Sequence, residues 1–250
     1  MFTDRFLRDK RGVNLEPDER SRLEAAISEV QTFPPRTTIA RAGEPLEQST
    51  LLLEGIMSRY IDDRRGLRQL VAVHVPGDFL DLHAFPLKTL DHDVATMTAA
   101  TVATISHSEL DAIMLEMPQL VRKLWFSTLI DAAIHRAWLF RFGRLDAIGR
   151  VAHFLCETNV RLISAGLSDG RRFALELRQT DLAEICGLTN VHVNRVMRHL
   201  REERLCVFRS SLVEILDPER LAARGQFDPY YLYIQAPQLE PMTSSSRPSL

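Results

Sequence analysis

Residues 179–205, QTDLAEICGLTNVHVNRVMRHLREERL, constrain this chain more than any other stretch. The pattern predicts two helices joined by a tight turn, followed by a return to strand. The first helix, 180–186, is too short to be stable alone. Gly187 supplies the left-handed residue that ends it. Thr189 is placed to cap a second helix running to about Glu203. In that helix Val193, Val196, Met197 and Leu200 recur at i, i+3, i+4 and i+7, which marks one buried face. The opposite face carries Asn190, Val191, His192, Asn194, Arg195 and Arg198, side chains suited to base edges and phosphates. This is a helix-turn-helix pattern, and double-stranded DNA is the partner it points to.

At 250 residues the chain is long for one core, so two domains are expected. No apolar run approaches membrane-spanning length, and the start, MFTDRFLRDKRG, lacks the apolar core of a signal peptide. A cytoplasmic protein with no membrane partner is expected. Cys156, Cys186 and Cys206 are far apart and show no metal-ligand spacing, which predicts small buried hydrophobes. The net charge of −2 argues nothing for nucleic acid, but its distribution does. Residues 1–140 carry 16 basic and 20 acidic side chains, whereas residues 141–224 carry 14 and 11. The basic surplus lies with the helix-turn-helix.

Upstream, residues 13–31 read as an amphipathic helix with Leu15, Leu23, Ala26, Ile27 and Val30 inward. Short β-rich runs follow at 37–40, 51–53, 56–61, 67–75, 94–98 and 102–106, punctuated by Gly43, Gly55, Gly66 and Gly77. Such spacing suggests a barrel or β-roll. A short helix is expected at 109–116. Pro118 then opens a helix to about Phe142, ~37 Å long. One stripe along it is Val121, Trp125, Thr128, Ala132, His135, Leu139 and Phe142; a second is Phe126, Ile130, Ala133, Ala137 and Phe140. A helix apolar on two sides needs two partners, its own β-domain and a second copy of the chain. Gly143 and RLDAIGR mark a hinge, and a helix at 145–165 opens the second domain. Residues 206–209 and 212–216 read as a two-stranded wing. FDPYYLYI at 227–234 is too aromatic for a solvated tail and should dock, whereas the tail from Pro237 reads as disordered.

LLLEGIMSRY at 51–60, VPGDF at 75–79 and GLTNVHVNRVMRHLREERL at 187–205 resemble, in this order, motifs of the Crp/Fnr family of bacterial transcription regulators. The resemblance covers about residues 15–222. GIMSRY, RQL, HVPGDFLDLHAF and LDHDV are similar to an α-proteobacterial branch loosely related to FixK-type regulators, not the cyclic-AMP or iron–sulfur type. It implies an α+β fold: an N-terminal double-stranded β-helix (β-roll, cyclic-nucleotide-binding-like), a long dimerisation helix and a C-terminal winged helix-turn-helix. The expected divisions are 1–117, 118–143, 144–222 and an extension, 223–250. The implied protein is a homodimeric, sequence-specific regulator, not an enzyme, reading a pseudo-palindromic site and meeting RNA polymerase if it activates.

Carried over residue by residue, the base-reading positions are Asn190, Val191, His192, Asn194 and Arg195, with Gln179, Thr189 and Arg198 on phosphates. Arg195 is suited to bidentate bonds with guanine. Many members have at the Val191 position a Glu that accepts from cytosine. Valine cannot accept, and its methyls suit a thymine methyl, so a different half-site is expected.

The cyclic-nucleotide branch surrounds its phosphate with Gly-Glu and Arg-Ser pairs. Residues 77–97 here, GDFLDLHAFPLKTLDHDVATM, contain no Arg and no Glu. An Asp at the Arg-Ser position, Asp91 or Asp93, would repel a phosphate, which argues against cyclic AMP. Residues 1–155 contain no Cys, so a thiolate-held iron–sulfur cluster there is excluded. Haem could be held through His74, His83 or His92, less readily His107 or His135, but polar or partly buried histidines of a β-roll surface are the expected reading. His74, His83, His92 and His107, isolated on separate segments, argue against a cupin-like metal enzyme, and no cofactor is expected. An unidentified small effector would meet Arg59, Asp81, His83, Lys88 and Asp91 in the β-roll. The alternative is a ligand-sensing module acting through a partner protein, with weak DNA binding; Arg195, Asn194 and the local basic surplus argue against it.

Overall fold

The computed structural model describes residues 1–235. The chain forms two compact units, Met1–Ala132 and Ala133–Leu250, with the boundary inside one helix. The tail from Pro237, expected to be disordered, lies outside the described residues.

In the first unit a turn-rich N-terminus leads to α1 (Pro17–Ala25), β1 (Ile27–Phe33), β2 (Thr38–Ala40), β3 (Gln48–Glu54), β4 (Met57–Asp62) and β5 (Arg68–His74). Then come α2 (Ala84–Leu87), β6 (Asp93–Thr96), β7 (Ala100–Ser106), α3 (His107–Glu116) and α4 (Pro118–Arg144), which crosses the boundary. Two antiparallel sheets result, ordered β1-β7-β3 and β2-β6-β4-β5. β3 shows why its sequence reads as a continuous apolar run: it is covered on both faces. Leu51 and Leu53 pack with Leu23, Leu110, Ile113, Leu120 and Leu124 of the helices. Leu52, between them and pointing the other way, packs with Met57, Leu80, Val94 and Val102. Gly55, in the β3–β4 turn, has φ +87°, and a Cβ there would lie 2.2 Å from the Ala99 carbonyl oxygen. Only glycine fits this hairpin.

The helix expected at 13–31 is a correction. α1 is nine residues long, with Pro17 in its first turn and the Glu16 N–H donating to Glu19 at 2.8 Å. Ile27 to Phe33 pair with β7, and Val30 is exposed instead of inward. The cause is tertiary: Ile27, Val30 and Thr32 are β-branched, and β7 offers them a full row of backbone partners.

α4 continues through Gly143 to Arg144, so the expected hinge glycine is helical. Leu120, Leu124 and Ile130 are buried in the first unit, and Ala133, Ile134 and Trp138 in the second. Trp125 and Leu129 are exposed in the first unit, and Leu139 and Phe140 in the second. The open face therefore follows 125, 129, 136 and 139, with the half-buried Ala132 between them. It shares Trp125, Ala132 and Leu139 with the expected stripe but leaves Val121 packed on the first unit's core. Thr128 and His135 are half-buried. Leu129, which the stripe omitted, is exposed beside the half-buried Thr128.

The second unit contains α5 (Ala147–Ser164), β8 (Arg172–Ala174), α6 (Gln179–Cys186), α7 (Asn190–Glu202), β9 (Cys206–Arg209), β10 (Leu212–Ile215) and α8 (Pro218–Arg224). Asp146 caps α5 by accepting from the Gly149 N–H at 2.8 Å. The wing has three strands, ordered β8-β10-β9, where two were expected. β8 escaped notice because three residues carry no period-2 signal. The three cysteines are free and buried, and burial raises all three thiols. Phe227, Leu232 and Ile234 are buried, so FDPYYLYI docks as expected.

Candidate nucleic-acid interface

α6 and α7 are built as the spacing requires. Gly187 ends α6 at φ +61°. Thr189 caps α7, its Oγ1 accepting from the His192 N–H at 3.3 Å. Val193, Val196 and Leu200 are buried, while Asn190, Val191, His192, Asn194, Arg195 and Arg198 are all exposed. Gln179, at the start of α6, and Thr189 are exposed as well. Arg195 makes no hydrogen bond or ion pair among the described residues, which leaves its fork of donors open. Asn194 is different: its Nδ2 donates to the Asn190 carbonyl at 3.1 Å and would exchange that local bond for a base. The wing tip places Ser210 and Ser211 at φ 50° and 60°, beside the exposed Arg209. Arg209 was not singled out from sequence, because nothing local distinguishes a wing-tip arginine from any surface one.

Two arginines missed by the sequence reading hold the turn. Arg141 is fully buried and donates from Nη2 to the Ile185 carbonyl at 2.9 Å. Arg150 donates to the Phe142 carbonyl at 2.8 Å, the Leu145 carbonyl at 3.0 Å and the Cys186 carbonyl at 3.5 Å. Both guanidiniums thus meet the carbonyl end of α6, where the helix dipole favours positive charge. Burial lowers the Arg141 pKa from its ordinary value.

In the first unit Arg59 of β4 is buried, donating from Nε to the Leu80 carbonyl at 2.7 Å and from Nη1 to Asp131 of α4 at 2.5 Å. His83 and His92 have ring centroids 5.5 Å apart. Burial, with the Arg59 charge second, lowers His74 to about 4, His83 to about 4, and His92 also. The structure thus groups Arg59 and His83 with His74, His92 and Asp131. It does not group them with the rest of the expected effector set. Asp81 is buried and accepts from the Thr50 N–H at 2.6 Å, a structural role, and burial raises it to about 6. Lys88 is exposed, its ammonium 4.8 Å over the Phe85 ring. Asp91 is exposed and meets His92 Nδ1 at 2.7 Å. Among the described residues, no three His, Cys, Asp or Glu side chains are arranged to hold a metal ion, and no helix is long and apolar enough to cross a membrane.

Residues 149–224 match the family of Crp-like helix-turn-helix domains, and residues 30–117 match the family of cyclic nucleotide-binding domains. The nitrogen fixation regulation protein FixK of Bradyrhizobium diazoefficiens is 29% identical over 173 residues, covering 69% of this chain and 71% of that protein. The transcriptional activatory protein AadR of Rhodopseudomonas palustris is 25% identical over 210 residues, covering 84% and 86%. The structure of FixK2 from Bradyrhizobium japonicum superposes with a TM-score of 0.71 at 24% identity, covering 78% of this chain and 96% of that one. The chain belongs to the Crp/Fnr family. It is a DNA-binding transcription regulator, and its family consists of regulators rather than enzymes. In this chain Val191 is exposed on α7, and Arg59 is engaged with an internal carboxylate.

Proposed function

We propose that this Crp/Fnr protein acts in the cytoplasm as a homodimer that reads a pseudo-palindromic DNA site. The unpaired, exposed Arg195 on the outer face of α7 carries the reading. In the complex Arg195 takes a guanine bidentately, worth roughly 1–3 kcal/mol of discrimination. Asn190, His192 and Asn194 meet neighbouring base edges, and Val191 meets a thymine methyl. Gln179, Thr189 and Arg198 meet phosphates and set the register. The open face of α4, with Trp125, Leu129 and Leu139, pairs with the same face of a second copy. Two recognition helices then enter major grooves about one turn, ~34 Å, apart. If the protein activates, RNA polymerase is the further partner.

The β-roll does not take a cyclic nucleotide. The Arg59 guanidinium is already neutralised by the Asp131 carboxylate, and residues 77–97 supply no arginine for a phosphate. An effector of different chemistry would act at Arg59 and His83, beside His74 and His92. Selection of duplexes from a randomised pool, with light-scattering mass of the free protein, tests the reading. A two-fold symmetric consensus and a dimer mass are expected; a monomer that selects no sequence overturns it. Calorimetric titration with cyclic AMP is expected to show no binding.

A further inference from the structure

The region that matches the helix-turn-helix family ends at residue 224, yet the fold of the second unit does not. Beyond it Gly225 presses on α5, where a Cβ would lie 2.6 Å from the His153 backbone nitrogen. Asp228 caps a short 3-10 turn, Pro229–Leu232, its carboxylate accepting from the Tyr230 N–H at 2.9 Å. This turn delivers Tyr231 to a fully buried carboxylate. The Tyr231 hydroxyl donates to Glu157 Oε2 at 2.5 Å. His153 lies beside it, with Nε2 3.2 Å from the hydroxyl and Nδ1 3.0 Å from the Gly225 carbonyl. The other oxygen, Glu157 Oε1, accepts from the indole N–H of Trp138 at 3.0 Å, and Arg161 stands 3.6 Å away.

Trp138 is itself a support. The Arg141 guanidinium lies 3.9 Å from the centroid of its ring, a cation–π contact. Arg141 Nε and Nη1 have no hydrogen-bond partner, so what holds this side chain is the rings of Trp138, Phe142 and Phe154 and its bond to the Ile185 carbonyl. Ile185 lies in the last turn of α6, directly before the turn to the recognition helix. A continuous buried relay therefore runs from Tyr231 through Glu157, Trp138 and Arg141 to α6. Each link is a contact whose loss in the interior leaves a polar group or a charge short of partners.

We propose that the C-terminal extension is a working part of the DNA reader: Tyr231, acting through Glu157, Trp138 and Arg141, is a positioning residue that holds α6 and thereby sets the pose of α7. The proposal rests on the DNA-binding reading above and adds to it a control element outside the helix-turn-helix. Removing only the Tyr231 hydroxyl takes one donor from Glu157. The carboxylate then turns toward Arg161, Trp138 loses its fixed acceptor, and the ring under Arg141 shifts.

The test is Tyr231→Phe in the full chain, with Tyr233→Phe as the control outside the relay. Three quantities are read: the indole N–H resonance of Trp138, amide exchange over residues 185–187, and affinity for a duplex the wild type has selected from a random pool. Tyr231→Phe is expected to move the resonance, speed the exchange roughly tenfold and weaken DNA binding roughly tenfold, the loss of about one buried hydrogen bond. Tyr233→Phe should leave all three unchanged. If Tyr231→Phe proves unfolded, Glu157→Gln, which keeps the shape, is expected to give the same three changes. An unmoved resonance and exchange, or a moved resonance with DNA affinity within about twofold of wild type, overturns the proposal. Should the wild type select no duplex, the DNA-binding reading fails; the resonance and exchange then still decide whether Tyr231 holds α6.

Discussion

Arg59 on β4 and Asp131 on α4 meet at 2.5 Å, with Arg59 2% and Asp131 24% exposed. This pair links the β-roll to the long helix inside the first unit. A buried pair contributes little beyond what it costs to desolvate, but breaking it leaves a charge stranded. Asp131→Ala is therefore expected to destabilise the first unit by roughly 3–5 kcal/mol. Replacing both residues by leucine should recover most of that loss. Urea unfolding of the two variants checks it, and equal losses in both would show that the charge is not what matters.

The buried histidines and Asp81 give opposite pH slopes. His74 lies near 4 in the fold against an ordinary 6.5, so the unfolded chain binds the extra proton as pH falls. Its contribution is fully present above 6.5 and is lost toward pH 4, by up to roughly 3 kcal/mol. Asp81 lies near 6 against 3.8, so its contribution is present below 3.8 and is lost as pH rises to 6. Relative to wild type, His74→Gln should therefore flatten the acid loss and Asp81→Asn should steepen it. Unfolding followed from pH 7 down to pH 4 decides this; slopes changed in the same direction would contradict the assignment.

Val191 is 66% exposed on the outer face of α7. Val191→Glu introduces a carboxylate acceptor and is expected to favour cytosine at one half-site position, by roughly 1–3 kcal/mol. Sequencing of duplexes selected by the two proteins measures the change. An unchanged consensus would remove Val191 from the interface.

Leu129 is 52% exposed on the open face of α4. A glutamate there places like charges across the proposed seam, so Leu129→Glu should shift the protein from dimer to monomer without unfolding either unit. Thr128→Glu, one position off the face, should do less. Sedimentation of both variants at micromolar concentration separates them.

Much of the reader was legible because its signals are local. The turn at Gly187, the cap at Thr189 and the spacing of Val193, Val196 and Leu200 sit within about a dozen residues, and the structure builds them as spaced. The strands of the β-roll were found for the same reason, apart from Ile27–Phe33, whose pairing with β7 lies some seventy residues away in sequence. The effector set fared differently. Asp81 and Lys88 stand near His83 in sequence, but one is committed to the Thr50 N–H and the other lies on the surface.

By itself the sequence determined the domain order, the exposed polar face of α7 and the absence of any arginine between residues 77 and 97. These follow from side-chain type and from periods of two and 3.6 residues, which need no knowledge of distant contacts. Only the tertiary structure decided that Asp131 occupies Arg59, that Leu129 belongs to the open face, and that Tyr231 reaches α6 through Glu157, Trp138 and Arg141. Each joins residues far apart in the chain or turns on which neighbour covers a helix face, and burial, which makes a lone charge or hydroxyl costly, is what selects the partner.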